Sequence, residues 1–248
     1  MEDKRKPPFQ YTAEKILTFG NYFNKTDNAT ESELTGKPFK WSGEANAITL
    51  QSQSGTVPFN DSETCSCHPL VIDVEPDKQY RLRTIGASAL TIVKMAIEGH
   101  DNLTVIEADG SYTRPVTVDH IQVAPGQRFS FILQTKSEEE LNRLGKSQFW
   151  IRYESRDRPS TTAGYALLRY KIAEQPLLPT QLPQNSPVDV PKEAHDYLEY
   201  RLQSLSRGVR NAFPQRSEVT RTVFLQMTLQ VPPGSHVNGR FEANADWA

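Results

Sequence analysis

Short β-strand patterns separated by turn residues constrain this chain more than any other feature of its sequence. Between residues 69 and 170, runs rich in β-branched and aromatic residues alternate with Gly, Pro, Asp and Asn. In two of these runs every second residue is apolar and would face one core. Such spacing is typical of a β-sandwich or barrel. The predicted strands are residues 14–23, 70–74, 79–85, 91–97, 103–108, 119–123, 128–135, 149–155 and 166–172.

The rest of the chain has a different character. Residues 137–144 predict a short helix, because Ser137 supplies a capping hydroxyl and three glutamates follow it at the positive helix end. Five prolines between residues 175 and 191 favour an extended connector. Beyond it, residues 197–205 and 222–231 alternate and predict two more strands, which are too few for an independent domain.

Charge and hydropathy exclude some classes of function. The 28 Lys+Arg and 30 Asp+Glu residues give a formal net charge of -2, so nucleic-acid binding has no electrostatic support. No run approaches the roughly 18 apolar residues of a membrane span. The N-terminus lacks the apolar core of a signal peptide, which predicts a cytoplasmic protein if Met1 is the natural start.

Three motifs follow one another at compatible spacing. They are YRLRTIGA at residues 80–87, AIEGHDNLTVIEADG at residues 96–110 and VAPGQRFS at residues 123–130. Together they resemble the second domain of multicopper oxidases of the ascorbate oxidase and laccase type. The segment GKPFKWSGE at residues 36–44 is similar to a loop earlier in that domain, and residues 224–237 resemble the opening of the third domain more loosely.

This resemblance implies an all-β fold, a cupredoxin-like Greek-key β-sandwich or barrel. The predicted organisation is a cupredoxin-like domain at residues 8–173, a Pro-rich linker at 174–192 and, at 193–248, an incomplete β segment that would start a third cupredoxin-like domain. The resemblance also implies a secreted protein.

Copper is the cofactor that the resemblance implies for intact relatives. Those proteins hold it in their first and third domains, on His-x-His pairs and a His-Cys-His segment, and none of these motifs occurs here. The histidines are scattered, whereas a copper site needs several donors that converge. We therefore expect this chain to bind no cofactor. The five histidines are His68, His100, His120, His195 and His236.

Asp109 is the main candidate for contact with a substrate. In laccase-like relatives a carboxylate at the matching position lines the substrate pocket, where it can accept a proton or hydrogen bond from a phenol or amine. Asp109-Gly110 is equally a favoured hairpin turn pair. The resemblance also implies substrate contact at Tyr22 and Phe23, which could instead be core. His100 is expected to be structural, and becomes an acid or base only if a pocket surrounds it.

Other residues point to secretion or to cross-linking. Asn-x-Ser/Thr triplets predict glycosylation in a secreted protein. Cys65 and Cys67 are too close for an ordinary disulfide with each other, and the resemblance implies a disulfide cysteine at Cys67. The predicted acceptors are Asn24, Asn28, Asn60 and Asn102.

These observations favour a copper-free middle domain that acts as scaffold and as part of a substrate cleft. Its partners would be flanking cupredoxin domains and a small aromatic or phenolic substrate. Intact relatives oxidise phenols, ascorbate-like reductants or metal ions and reduce O2 to water. Two alternatives stay open. One is a free-standing, metal-independent protein that binds or steers a small aromatic metabolite, with Asp109 and His100 as acid and base. The other is an interaction module for a separate oxidase.

Overall fold

The computed structural model describes residues 7–55, 69–158, 160–174, 176–191, 198–206 and 214–224. The chain divides into two compact units. The first contains residues 1–22 and 45–213, and the second contains residues 23–44 and 214–248. Two β-sheets in the first unit confirm the predicted all-β fold.

Seven strands form the larger sheet. Its spatial order is β3-β2-β1-β5-β10-β7-β8, and all neighbours are antiparallel except β1 and β5. The strands are β1 (Ala13–Tyr22), β2 (Ala47–Leu50), β3 (Gln53–Ser54), β5 (Gln79–Gly86), β7 (Leu103–Ala108), β8 (Ser111–Val118) and β10 (Arg128–Gln134).

Five strands form the smaller sheet. Its order is β4-β12-β11-β6-β9, with β4 and β12 parallel. The strands are β4 (Val71–Val74), β6 (Val93–Ile97), β9 (His120–Val123), β11 (Gln148–Ser155) and β12 (Ala163–Tyr170).

The core contains the inward-facing side chains of both sheets, which recur at every second position as a strand requires. Phe129, Phe131 and Leu133 of β10 are buried, as are Tyr80 and Leu82 of β5. Burial of this aromatic and aliphatic surface supplies the main stabilising free energy of such a sandwich.

Helix α2 (Glu138–Leu144) confirms the predicted short helix. The Ser137 hydroxyl accepts from Glu140 N, and the Glu140 carboxylate accepts in return from Ser137 N, which is a capping box. Gly145 ends the helix in the left-handed conformation, with φ of 60°. Leu141 is the buried residue that packs the helix onto the core.

The Pro-rich segment lies along the outer face of the smaller sheet. Arg152 donates to Val188 O (3.3 Å) and to the Ser186 hydroxyl, and Lys94 donates to Pro191 O. Glu154 lies between the two cations, 3.2 Å from Lys94 and 2.5 Å from Arg152. This cluster, in which Lys94 and Glu154 are buried and Arg152 is half-buried, fixes the path of the connector.

The chain after the connector returns to the larger sheet. The predicted strand at 197–205 is wrong over its first part, because Leu198–Arg201 form a short helix, α3. Leu205 N donates to Tyr112 O (2.9 Å) and Arg114 N donates to Gln203 O (2.8 Å). These bonds cover part of the β8 edge. The predicted domain boundaries stay predictions.

The second unit includes a helix in a stretch where the sequence predicted no helix or strand. Residues Asp27–Thr35 form helix α1, capped by the Thr26 hydroxyl, which accepts from Ala29 N. The Glu33 carboxylate forms ion pairs with Lys25 Nζ and Lys40 Nζ, each at 2.6 Å. Residues 222–224 show no strand, and the rest of the strand predicted at 222–231 lies outside the described residues.

Candidate functional site

Asp109 lies at the tip of the β7–β8 hairpin, as its pairing with Gly110 predicted. The two-residue turn places both in left-handed conformations, with φ of 47° for Asp109 and 86° for Gly110. The Asp109 side chain is 56% exposed, and its Oδ1 accepts from Arg128 N (2.9 Å). The Arg128 guanidinium lies 3.8 Å from the same oxygen. Since both contacts use Oδ1, Oδ2 has no partner among the described residues and is available to a ligand.

A buried carboxylate supports this turn from the outer face of the larger sheet. Glu107 Oε1 accepts from Gly110 N (2.6 Å). Its Oε2 accepts from Arg81 (3.0 Å) and from the Ser130 hydroxyl. Burial raises the pKa of Glu107, but the hydrogen bonds from Ser130, Arg81 and Gly110 outweigh it and leave the pKa below its usual value. Glu107 is therefore charged at neutral pH.

A β-bulge aims Glu107 at these partners. Val105 pairs with Phe131 on the core side of β10, whereas Glu107 pairs with Ser130 on the outer side. Against β10, the register shift leaves Ile106 as the extra residue and reverses the facing of the positions that follow it. Without the shift, alternation would place the Glu107 side chain in the core.

Two tyrosines cover the Arg81 guanidinium, whose side chain is only 2% exposed. The rings of Tyr11 and Tyr112 each have their centroid 5.7 Å from the guanidinium carbon. Arg81 also donates to the Tyr11 hydroxyl (3.3 Å), which in turn donates to Glu14 (2.7 Å). Burial lowers the pKa of Arg81, but its hydrogen bonds to Tyr11 and Glu107 outweigh that and raise it.

Tyr22, one of the two predicted aromatic contacts, does not lie beside Asp109. Both residues lie where the strands end on the same side of the larger sheet, but β5 and β10 separate β1 from β7. Three strand spacings and four residues along β1 put their Cα atoms on the order of 19 Å apart. Tyr22 is 52% exposed. Phe23 belongs to the second unit and is half-buried.

His100 is buried at the opposite end of β7 from Asp109. Strand β7 alone is about 17 Å long, so the two residues cannot exchange protons with one small ligand as an acid and base pair. The carbonyl oxygen of Glu98 can only accept, so the neutral imidazole carries its proton on Nδ1, and its Nε2 accepts from the Tyr170 hydroxyl (2.7 Å), which itself accepts from Lys136 N (2.8 Å). His100 Nδ1 then donates to Glu98 O (2.7 Å). Burial lowers the pKa of His100 to about 4, which keeps the imidazole neutral at pH 7.

The predicted glycosylation sites lie partly outside the described residues. Asn24, Asn28 and Asn102 are exposed, which leaves each accessible to modification. Asn60 is outside the described residues, as are Cys65, Cys67, His68, His195 and His236.

The described residues do not fit a copper site. Within them, no group of three or more His, Cys, Asp or Glu side chains could hold a metal ion. Both ring nitrogens of His100 are already hydrogen-bonded. His120 lies at the edge of the smaller sheet, where its Nδ1 is 2.6 Å from Asp119.

A separate groove of about 630 Å³ lies beside the C-terminal end of α2 and the connector. Its walls include Leu141, Trp150, Leu167, Pro176 and Pro179. It belongs to the smaller sheet and contains none of the predicted site residues.

The family model described as multicopper oxidase matches residues 13–173. The chain belongs to the multicopper oxidase family. A multicopper oxidase, aurL2 of Gibberella zeae, is 48% identical over the whole chain. Another, terE of Aspergillus terreus, is 42% identical over 89% of it, and an L-ascorbate oxidase of Brassica rapa is 30% identical over 74%.

This multicopper oxidase chain spans about two fifths of the length of the fungal relatives, 41% of aurL2 and 42% of terE. Two solved structures show the same fold at low sequence identity. The multicopper oxidase Fet3p, which functions in iron import, aligns with a TM-score of 0.53 at 20% identity, covering 72% of this chain and 31% of Fet3p. A laccase of Botrytis aclada aligns with a TM-score of 0.51 at 19% identity, covering 73% and 33%. In the described residues, no helix has the length and apolar character needed to cross a membrane.

Proposed function

We propose that the chain is the copper-free middle part of a multicopper oxidase, where it serves as scaffold and supplies one wall of the substrate cleft through Asp109. The observation that carries the proposal is the exposed carboxylate in a fixed hairpin turn, with one oxygen engaged by Arg128 and the other available. The match of this chain to two fifths of longer multicopper oxidases supports a role beside other domains.

The substrate class follows from the chemistry of that carboxylate. A phenol loses one electron and one proton when it is oxidised to a phenoxyl radical, and a carboxylate within hydrogen-bond reach can accept that proton. Copper bound in other domains of the intact oxidase would supply the electron acceptor, and four such one-electron oxidations would balance the reduction of O2, with four protons, to two water molecules. The part of this chain is to hold the phenol hydroxyl at Asp109 Oδ2.

Binding of a phenol to the purified chain tests this role. We expect a titration with catechol to shift the backbone amide resonances of Asp109, Gly110 and Arg128, with a weak affinity because one wall alone contacts the ligand. Asp109→Asn removes the charge and should raise the dissociation constant about threefold or more, as expected for one partly exposed charged hydrogen bond.

The matched control is Asp119→Asn, which removes the same charge from another exposed aspartate, next to β9 in the smaller sheet. It should leave catechol binding unchanged. Equal affinities for wild type and Asp109→Asn would show that Asp109 is a turn residue only.

A further inference from the structure

We propose that Glu107 is the positioning residue of the Asp109 turn: its buried carboxylate holds the hairpin so that Asp109 Oδ2 points outward to the substrate. This inference rests on the proposed function of Asp109 and extends it to a residue that never touches the substrate. It is carried by three contacts that converge on Glu107 from Gly110, Arg81 and Ser130.

The contacts divide between the two carboxylate oxygens. Oε1 binds the Gly110 amide, which follows Asp109 directly, while Oε2 binds Arg81 and Ser130 on neighbouring strands. The turn is thereby tied to β5 and β10 as well as to its own hairpin. Arg128 N, also on β10, fixes Oδ1 of Asp109, so both ends of the turn are held against the same strand.

An amide cannot replace this carboxylate. Glutamine has one acceptor oxygen and one NH2 group, so in Glu107→Gln either Arg81 or Gly110 faces a donor instead of an acceptor. The Arg81 guanidinium is almost fully buried and binds the single oxygen more strongly than the Gly110 amide does. The NH2 group then faces Gly110 N, and the turn loses its anchor.

Glu14→Gln is a matched control for the loss of charge. Glu14 also lies near Arg81, at 3.7 Å, and binds Tyr11 and Arg83, but it has no contact with the turn. Both substitutions therefore remove one negative charge near the same guanidinium, and only Glu107→Gln removes the contact with Gly110.

Two measurements on the purified chain test the inference. In Glu107→Gln we expect hydrogen exchange of the Gly110 amide to accelerate about tenfold or more and the catechol dissociation constant to rise about threefold or more. Glu14→Gln should change neither by more than a small factor. If Glu107→Gln does not fold, the Arg81→Met/Glu107→Met double variant removes both buried charges together, retains a packed surface, and should show the same two changes.

The possible outcomes separate this inference from the proposed function. If Asp109→Asn weakens catechol binding while Glu107→Gln behaves like Glu14→Gln, the positioning role is overturned and the role of Asp109 stands. If wild type gives no catechol shifts at Asp109, the proposed function is overturned. Exchange at Gly110 then decides by itself whether Glu107 holds the turn, and equal exchange rates in the two glutamine variants would overturn that as well.

Discussion

Acid should destabilise the sandwich through His100, because burial of its ring disfavours the charged imidazolium. Tyr170 already accepts from Lys136 N and uses its own proton to bind His100 Nε2. A proton added to Nε2 would therefore require the Tyr170 hydroxyl to turn its own proton away from the ring. The other charged groups near the ring are Glu98, Asp101 and Lys136, of which Lys136 also disfavours the imidazolium.

The magnitude follows from the pKa of His100, which burial lowers from 6.5 to about 4. Below pH 6.5 the unfolded chain takes up a proton that the folded chain does not accept until about pH 4. The stability that neutral His100 contributes is therefore fully present above pH 6.5 and is lost as the pH falls from 6.5 towards 4. The loss in the free energy of unfolding from this residue is about 2 kcal/mol at pH 5 and about 3 kcal/mol at pH 4.

Urea unfolding of wild type and His100→Gln between pH 8 and pH 4.5 measures this loss. Glutamine keeps an acceptor for Tyr170 and does not titrate. The variant should start from a lower stability at pH 8, and it should lose about 2 kcal/mol less than wild type on acidification to pH 5. His120→Gln is the control, because it removes a histidine from the sheet edge. Parallel curves for wild type and His100→Gln would refute the reasoning.

Two further predictions concern packing and the connector. Gly86→Ala should lower the free energy of unfolding by about 3 kcal/mol, because its Cβ would overlap Ala124 O. Gly126→Ala places its Cβ in open space but at a positive φ, and should lower the free energy of unfolding by about 1 kcal/mol. Equal losses in urea unfolding would contradict this. Glu154→Gln leaves the buried Lys94 and the half-buried Arg152 without their carboxylate and should accelerate amide exchange across residues 186–191, measured by mass spectrometry. Asp157→Asn, which changes an exposed aspartate paired with Arg156, should not accelerate this exchange, and unchanged exchange in Glu154→Gln would argue against the cluster as the anchor.

Much of the sandwich could be predicted from sequence because alternation and turn residues are local signals. Strand β7 has the predicted bounds, and β5 and β10 differ from prediction by one residue at an end. Strand β8 was missed because Pro115 and several polar residues interrupt its pattern. It exists because β7 pairs along one side and residues 203–205 cover part of the other.

Helices α1 and α3 were also missed. No residue of α1 is buried, so its sequence carries no apolar periodicity, and its local signals were the capping hydroxyl of Thr26 and Asp27 in the first turn. The segment at 198–201 was predicted as a strand because its apolar residues alternate. In the structure Leu198 packs against the core as part of a short helix, while Tyr200 is 87% exposed.

The candidate site was predictable only in part. Asp109 and its turn follow from the Asp-Gly pair, which specifies its own backbone conformation. Glu107 and Arg81 lie within strands, where alternation alone predicts the facing of each side chain and takes no account of a bulge. Their meeting depends on the register shift at Ile106 and on cover by Tyr11 and Tyr112, which are contacts between segments distant in sequence.

The copper content of the purified chain tests the central claim most directly. After incubation with excess copper and removal of unbound metal, elemental analysis should find far less than one copper per chain, and the protein should show no blue absorption band. That result is expected because the described histidines do not converge, and His100 is fully hydrogen-bonded. Near-stoichiometric copper with a blue band would contradict a copper-free scaffold.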